Sequence, residues 1–471
     1  MAPTTTTFTI IIIGGGIAGL AAAIALARKG HKVTVFEANT SLSELGAGIQ
    51  IQPNATRVLH HWGLQDEFRK WSNEPAVMKV LQYADSTVIG EIAHNPMQIW
   101  EYGYPHWQCY RPDLQRLLYD AAVAAGADVR FGQKVADVDV DQGIVVLADG
   151  KREEADLVVA ADGILSKFRH LLPGNSDAKA VTCNEYCFRT VVPKERMDSN
   201  PETAELMKGE DSMVWVGPGV AVLGYTVSGG RYYNTLISCP TPCEVPVGRW
   251  GEPGDVGEAR ELVKDFCPAV RKIWSYVNET VLWTLGEVPR IASYTSTTGR
   301  FVLVGDGAHA IVPHAGQGGG SALEDAAALG EFVSAARDVR DLASKMQMFQ
   351  DFRQPRMEYM RTMARGNQTF MSLDDGDEQM KRDKMWGKMT AKWKAELAEL
   401  GEEGFRARPR PRAIPGKDIR SPESRQYMIG TKLMSKTLSF LGHSLILSLF
   451  CLQAMMSSQR RRGSLMLMLS V

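Results

Sequence analysis

Cysteine is scarce here, with seven in 471 residues. An odd, sparse count argues against a disulfide framework and points to a reducing, cytoplasmic setting. Excess charge is missing too: 53 Lys and Arg against 54 Asp and Glu leave a formal net charge of −1. That balance gives no electrostatic case for a nucleic-acid partner. The opening MAPTTTTFTI lacks a basic segment ahead of an apolar one, so it does not read as a secretion signal. The sequons at Asn54, Asn278 and Asn367 then read as chance matches. Metal knuckles are lacking as well, although two cysteine pairs fall within the loose two-to-four spacing of zinc ligands. Cys183-x3-Cys187 and Cys239-x3-Cys243 lie in or beside β-rich runs instead of tight knuckles, so no metal site is expected.

What the chain does have is concentrated first in residues 8–37, FTIIIIGGGIAGLAAAIALARKGHKVTVFE. An apolar β-run enters three glycines, an apolar helical run follows, and a second β-run, Val33 to Phe36, ends in Glu37. Gly14, Gly16 and Gly19 fit G-x-G-x-x-G, and Glu37 stands where the ribose acid of a dinucleotide site is expected. Gly14 permits the tight turn, Gly16 lets the backbone approach a pyrophosphate, and Gly19 lets helix and strand pack closely. The helix start adds free N–H groups and a positive dipole end. The stretch is a dinucleotide site, and an acid at 37 suits a free ribose diol.

The rest of the chain returns to this unit twice. Leu157 to Ala161 is a continuous apolar run ending in Asp162-Gly163, as a buried parallel strand looks at its carboxyl end. Phe301 to Val304 is another, followed by Gly305-Asp306-Gly307, a glycine-rich loop from His314 to Gly320, and a helix expected from Ser321. Between them, residues 181–290 are β-runs rich in Val, Tyr and Trp, read as an antiparallel sheet that walls a pocket. The pattern predicts an α/β fold, a Rossmann-type binding domain with an inserted antiparallel sheet and C-terminal helices. Its expected parts are 1–76, 111–180 and 291–371 for the binding domain, and 77–110 with 181–290 for the substrate side. A polar helical segment, 372–430, and an atypical apolar tail, 431–471, follow.

Taken together, GGGIAGL, ADG at 161–163 and GDGAHAIVPHAGQGGGSALEDA at 305–326 resemble the FAD-dependent aromatic hydroxylases, in particular the salicylate-hydroxylase-like branch. The resemblance covers roughly residues 8–430. It implies bound FAD, with NADPH or NADH as a transient reductant. It also implies dioxygen activated as a C4a-hydroperoxide and attacked by an electron-rich ring. It implies Glu37 at the adenosine ribose, Gly48 and Arg111 at the flavin, and Asp162 near the pyrophosphate and the nicotinamide donor. Asp306 is implied on the ribityl hydroxyls and Gly319 against the isoalloxazine. Arg189 in CFRTVVP and Tyr225 in LGYTVS match positions where related fungal dearomatising hydroxylases carry an Arg–Tyr pair, with Tyr232 and Tyr233 as competitors for the second place. His309 and His314 flank the flavin loop, where a base is conceivable, and His309 is read as structural, fixing the turn after Asp306.

The function expected is hydroxylation of a phenolic or other aromatic small molecule, in fungal specialised metabolism or aromatic catabolism. A same-fold epoxidase or indole oxidase, which needs no phenolate partner, is the rival; a non-catalytic flavin-binding protein is a third reading. The tail departs from the family after SPESRQYMIG and reads as unfolded or as the product of a misread intron or frame. Within it, residues 438–456 are nineteen mostly apolar residues followed by three arginines. Any membrane association would run through that stretch.

Overall fold

The computed structural model describes residues 6–42, 46–240, 250–371 and 373–407. Ser43 to Leu45 of the loop before Gly48, Cys243, and residues 408–471 with the apolar 438–456 stretch lie outside them.

The chain begins with β1 (Thr9–Ile13), α1 (Ile17–Ala27), β2 (Lys32–Phe36), β3 (Gly48–Ile51), α2 (Pro53–His61), α3 (Gln65–Arg69) and β4 (Ser72–Asn73). Next are β5 (Val77–Gln82), β6 (Val88–Ala93), α4 (Met97–Tyr102), β7 (Trp107–Tyr110) and α5 (Arg111–Ala124). Five strands follow: β8 (Asp128–Arg130), β9 (Val135–Asp139), β10 (Ile144–Leu147), β11 (Arg152–Glu154) and β12 (Leu157–Ala160). The middle of the chain holds β13 (Val181–Pro193), α6 (Lys194–Met197), α7 (Pro201–Leu206), β14 (Ser212–Val216), β15 (Ala221–Val227) and β16 (Tyr232–Pro240). Then come β17 (Trp250–Gly254), α8 (Val256–Leu262), α9 (Pro268–Ser275), β18 (Thr280–Glu287) and β19 (Phe301–Leu303). Four helices end the described chain: α10 (Asp306–His309), α11 (Gly318–Ser334), α12 (Leu342–Met371) and α13 (Asp377–Ala407).

A five-stranded parallel sheet, ordered β19-β12-β1-β2-β8, carries the fingerprint at its centre. Ile10 to Ile13 and Leu157 to Ala160 are buried throughout, as strands covered on both faces must be. Helix α1 is buried from Gly19 to Ala27. A helix apolar on all sides belongs in an interior, and α1 lies against both α11 and α5. The carboxyl ends of β1, β12 and β19 thus share one edge, where open α/β sheets hold ligands.

The second large sheet has eight strands in the order β17-β18-β13-β16-β15-β14-β5-β6. Its pairs are antiparallel except β14 with β5. Strand β7 joins neither large sheet and pairs with β3 and β4, setting Tyr110 opposite Gly48. Helix α13 covers the exposed edge at β6, where Trp393 Nε1 donates to the Glu91 carbonyl and Lys394 pairs with the Glu91 carboxylate at 2.6 Å. An uncovered edge strand would invite pairing with other chains. Among the described residues, no helix is long and apolar enough to cross a membrane.

Candidate active site

One cavity of about 1070 Å³ lies between the carboxyl edge of the parallel sheet and the large antiparallel sheet, with α12 and α13 contributing wall residues. Gly16 at the start of α1, Gly48 on β3, Arg111 on α5, Arg189 on β13, Tyr225 on β15, Asp306 on α10 and Gly319 on α11 all border it.

The three fingerprint glycines divide by cause. A Cβ on Gly14, whose φ is +104°, would stand 2.5 Å from the Ala161 carbonyl oxygen, and one on Gly19 would stand 1.9 Å from that of Gly14. Both are required by the protein's own packing. Gly16 is different: nothing lies within 4 Å of its missing Cβ, and its backbone is extended. Its openness fits a bound group coming close to the backbone. Gly16→Ser therefore tests cofactor fit apart from folding, because serine is a good first-residue cap. We expect unchanged or slightly raised thermal stability of the FAD-free protein, with FAD affinity down about tenfold or more by flavin-fluorescence titration.

Helix α11 begins at Gly318, three residues before the expected Ser321. The glycines thus form its first turn, where N–H groups have no acceptor within the helix. Neither α1 nor α11 has a side-chain cap. Gly318 has nothing within 4 Å of its missing Cβ, and Gly319 only ordinary contacts to Ile49, Ile51 and Ile17 at 3.8–3.9 Å. Two uncapped helix starts and bare backbone facing one cavity suit a pyrophosphate and a flat ring.

The remaining residues fall into three groups. Glu37 lies outside the cavity lining, at the end of β2, and accepts from the amides of Gly15 at 2.6 Å and Asn39 at 2.8 Å. Asp162 does not border the cavity either. One oxygen accepts from Lys167 N at 2.9 Å, while the other is buried and has no partner among the described residues. Burial raises its pKa. Asp306 opens to the cavity, yet the surrounding walls withhold bulk water and raise its carboxyl pKa against the pull of His309 and Arg111. Arg111 is affected in the opposite sense, its pKa lowered by burial and by Arg189 but supported by Asp306.

Gly48 is the meeting point of the sheet-borne groups. Its N–H donates to Asn234 Oδ1 at 2.7 Å, and its carbonyl accepts from Arg189 at 3.2 Å. A Cβ there would be 2.7 Å from the Tyr225 hydroxyl. The Arg189 guanidinium also lies 4.5 Å from the centre of the Trp283 ring. Burial raises the Tyr225 pKa, with Arg189 opposing, so its O–H remains a donor. Tyr225 borders the cavity, whereas Tyr232 and Tyr233 do not.

Sequence reasoning missed the support beneath the loops. Arg169 is buried and donates to the carbonyls of Gly307 at 2.7 Å and Ile164 at 2.8 Å, tying the ADG corner to the turn at Asp306. Asp325 accepts from Gly305 N at 2.8 Å, His309 Nε2 at 2.7 Å and Arg353 Nε at 2.6 Å. Glu324 accepts from Arg353, Arg356 and Asn54. A signal was present: two adjacent acids in the Ala- and Leu-rich α11, and arginines three apart on α12.

Residues 7–345 match the family described as the FAD binding domain. The chain is 31% identical over 378 residues to the FAD-dependent monooxygenase OpS4 of Beauveria bassiana, covering 79% of this chain and 88% of that one. It is 30% identical over 379 residues to the 3-amino-4-hydroxybenzoate 2-monooxygenase PtmB3 of Streptomyces platensis, covering 80% and 91%. A salicylate hydroxylase solved with substrate superposes with a TM-score of 0.68 at 20% identity, over 86% of this chain and 98% of that one, which establishes the shared fold. The chain belongs to the FAD binding domain family, and it is an FAD-dependent monooxygenase.

Proposed function

We propose that the protein hydroxylates a phenolic or other electron-rich aromatic molecule, with NADPH or NADH as reductant and dioxygen as the oxygen source. The observation that carries this is the convergence of Arg189 and Tyr225 on Gly48 at the cavity wall. A fixed positive charge and a phenol O–H in a water-poor site favour a substrate oxygen as the anion, which enriches its ring in electrons. Bound FAD supplies the two-electron reduction and the activated oxygen. Met78, Leu223, Leu236, Leu285 and Ile311 make the cavity wall apolar, which keeps water from competing.

In the same reading, Glu37 holds the adenosine ribose, Asp306 the ribityl hydroxyls and Gly319 the flat ring, with Arg111 and Asp162 around the phosphates and the reductant. The relative named for 3-amino-4-hydroxybenzoate, a hydroxylated aromatic acid, supports the substrate class. The relative from Beauveria bassiana, named an FAD-dependent monooxygenase, supports the reaction type. The odd, sparse cysteine count supports a reducing, cytoplasmic setting.

The test is NAD(P)H oxidation by the FAD-loaded protein across phenols and aromatic acids, with product mass read from the same tubes. Stimulated oxidation giving a product one oxygen atom heavier is expected. Arg189→Gln should lower kcat/KM about 100-fold. Two contacts favour the epoxidase or indole-oxidase reading: Arg189 already serves the Gly48 carbonyl and the Trp283 ring. Under that reading, Arg189→Gln turns over nearly as well as the unaltered protein.

A further inference from the structure

The strand carrying Arg189 holds a second polar group at its other end. Strand β13 bulges between Thr182 and Tyr186, where its pairing with β18 slips. Within the bulge Asn184 is left-handed, with φ of 52°. Such positions cost free energy for a residue other than glycine, and they recur at functional sites. Asn184 and Glu185 both border the cavity. Glu185, Cys187 and Arg189 alternate along the strand, so the α-carbons of Glu185 and Arg189 stand about 13 Å apart at about 3.3 Å per residue.

Glu185 is a buried carboxylate with three donors. His314 Nε2 lies 3.0 Å from one oxygen, Gln368 donates to the same oxygen, and Ser238 to the other. Burial opposes its ionisation, but the hydrogen bonds from His314, Ser238 and Gln368 outweigh that and lower its pKa. An ionised carboxylate can only accept, so His314 carries its proton on Nε2. Its Nδ1 then presents a lone pair, since the one side-chain hydrogen bond of the ring among the described residues is made through Nε2. The imidazole borders the cavity with 12% of its side chain exposed.

Other bonds already anchor this loop. Asn367 donates to the His314 carbonyl at 3.0 Å and Gln52 to that of Ala315 at 2.8 Å. The carboxylate therefore orients the ring, over and above holding the chain in place. The remaining ionisable groups on the facing elements do not compete for the proton. Glu287 is paired with Arg365, and burial raises the thiols of Cys183 and Cys239 to about 12 and that of Cys187 to about 11.

We infer that His314 is a catalytic base, positioned by Glu185, that takes the proton from the hydroxyl of a phenolic or enolic substrate. The O–H bond breaks with its electron pair left on the substrate oxygen, and the proton bonds to Nδ1. Glu185 stabilises the imidazolium so formed. The proton returns to the product oxygen when the cycle closes, so neither residue is consumed. The arrangement follows the logic of an acid-oriented histidine, and it rests on the aromatic-hydroxylase reading.

The test uses FAD-loaded protein and 4-nitrophenol, buffered below the pKa of the free compound, with the phenolate band read by difference absorbance. The unaltered protein is expected to bind it as phenolate. His314→Gln, whose amide can still donate to Glu185, should bind it as the neutral phenol, with about 100-fold less phenolate at a given pH. Glu185→Gln, which leaves His314 in place, should fall between the two. A phenolate band that persists in His314→Gln overturns the inference and returns the task to Arg189 and Tyr225. Binding of the neutral phenol by the unaltered protein overturns it as well, while sparing the cavity as an aromatic site. No binding at all removes the phenol reading, and this inference with it.

Discussion

Arg353→Met is expected to destabilise the protein by about 3–5 kcal/mol, as removal of one partner from a buried ion pair does, and to strip FAD from what remains folded. Arg353 is fully buried and bridges Asp325 and Glu324. Both acids are surrounded by protein, which alone would raise their pKa values. His309 and Arg353 for Asp325, and Arg356 and Arg353 for Glu324, pull them instead to about 2. In the variant, Arg356 still reaches Glu324, whereas Asp325 keeps only the Gly305 amide and His309. An ionised Asp325 is then underpaired in a dry site. If it instead takes a proton, it loses grip on the amide that starts the turn at Asp306. Denaturant titration and the flavin-to-protein ratio measure the two effects. A loss below about 1 kcal/mol, the size of an ordinary hydrogen bond, would refute the bridge.

Gly19→Ala is expected to abolish soluble, flavin-loaded protein, or to cost about 3 kcal/mol or more if some still folds. The added carbon would stand 1.9 Å from a backbone oxygen of Gly14. No flexible side chain is there to yield, and α1 is held between α5 and α11. Either the helix lifts from β1 or the Gly14 turn opens, and each loses the phosphate-binding geometry. The measurements are soluble yield, the flavin-to-protein ratio and unfolding midpoint. Against Gly16→Ser, the pair separates glycine needed by the protein from glycine left open to a ligand. Comparable stability losses in the two variants would refute that division.

These cases also locate what could be read in advance. The requirement at Gly14, Gly16 and Gly19 is local, because turn, helix start and strand are contiguous, so the spacing alone reveals the unit. The same holds for the GDG turn, where an apolar strand announces its own end. Glycine is a poor helix former by propensity, so the sequence places the start of α11 at Ser321, yet three glycines form its first turn. Asp325 with Arg353, and Glu185 with His314, escaped notice for another reason. Their partners lie 28 and 129 residues away, and only the packing of α12 on α11, or of the loop on β13, brings them together. Arg189 and Tyr225 were legible as residue types, but their shared contact at Gly48 required the third strand, β3, to be in place.

The order of the parallel sheet bears on how the chain is made. β1 leaves the ribosome well before β12 and β19, which complete the edge it helps to form. At about 5–20 residues per second, roughly 15–60 s separate the emergence of Ile13 from that of Leu303. Throughout that interval the nascent sheet has an unpaired edge and an apolar face still waiting for α11, the conditions under which neighbouring chains pair. The turn at Asp306 and the walls from α12 and α13 come later still. The complete cavity therefore exists only once nearly all of the described chain has been synthesised.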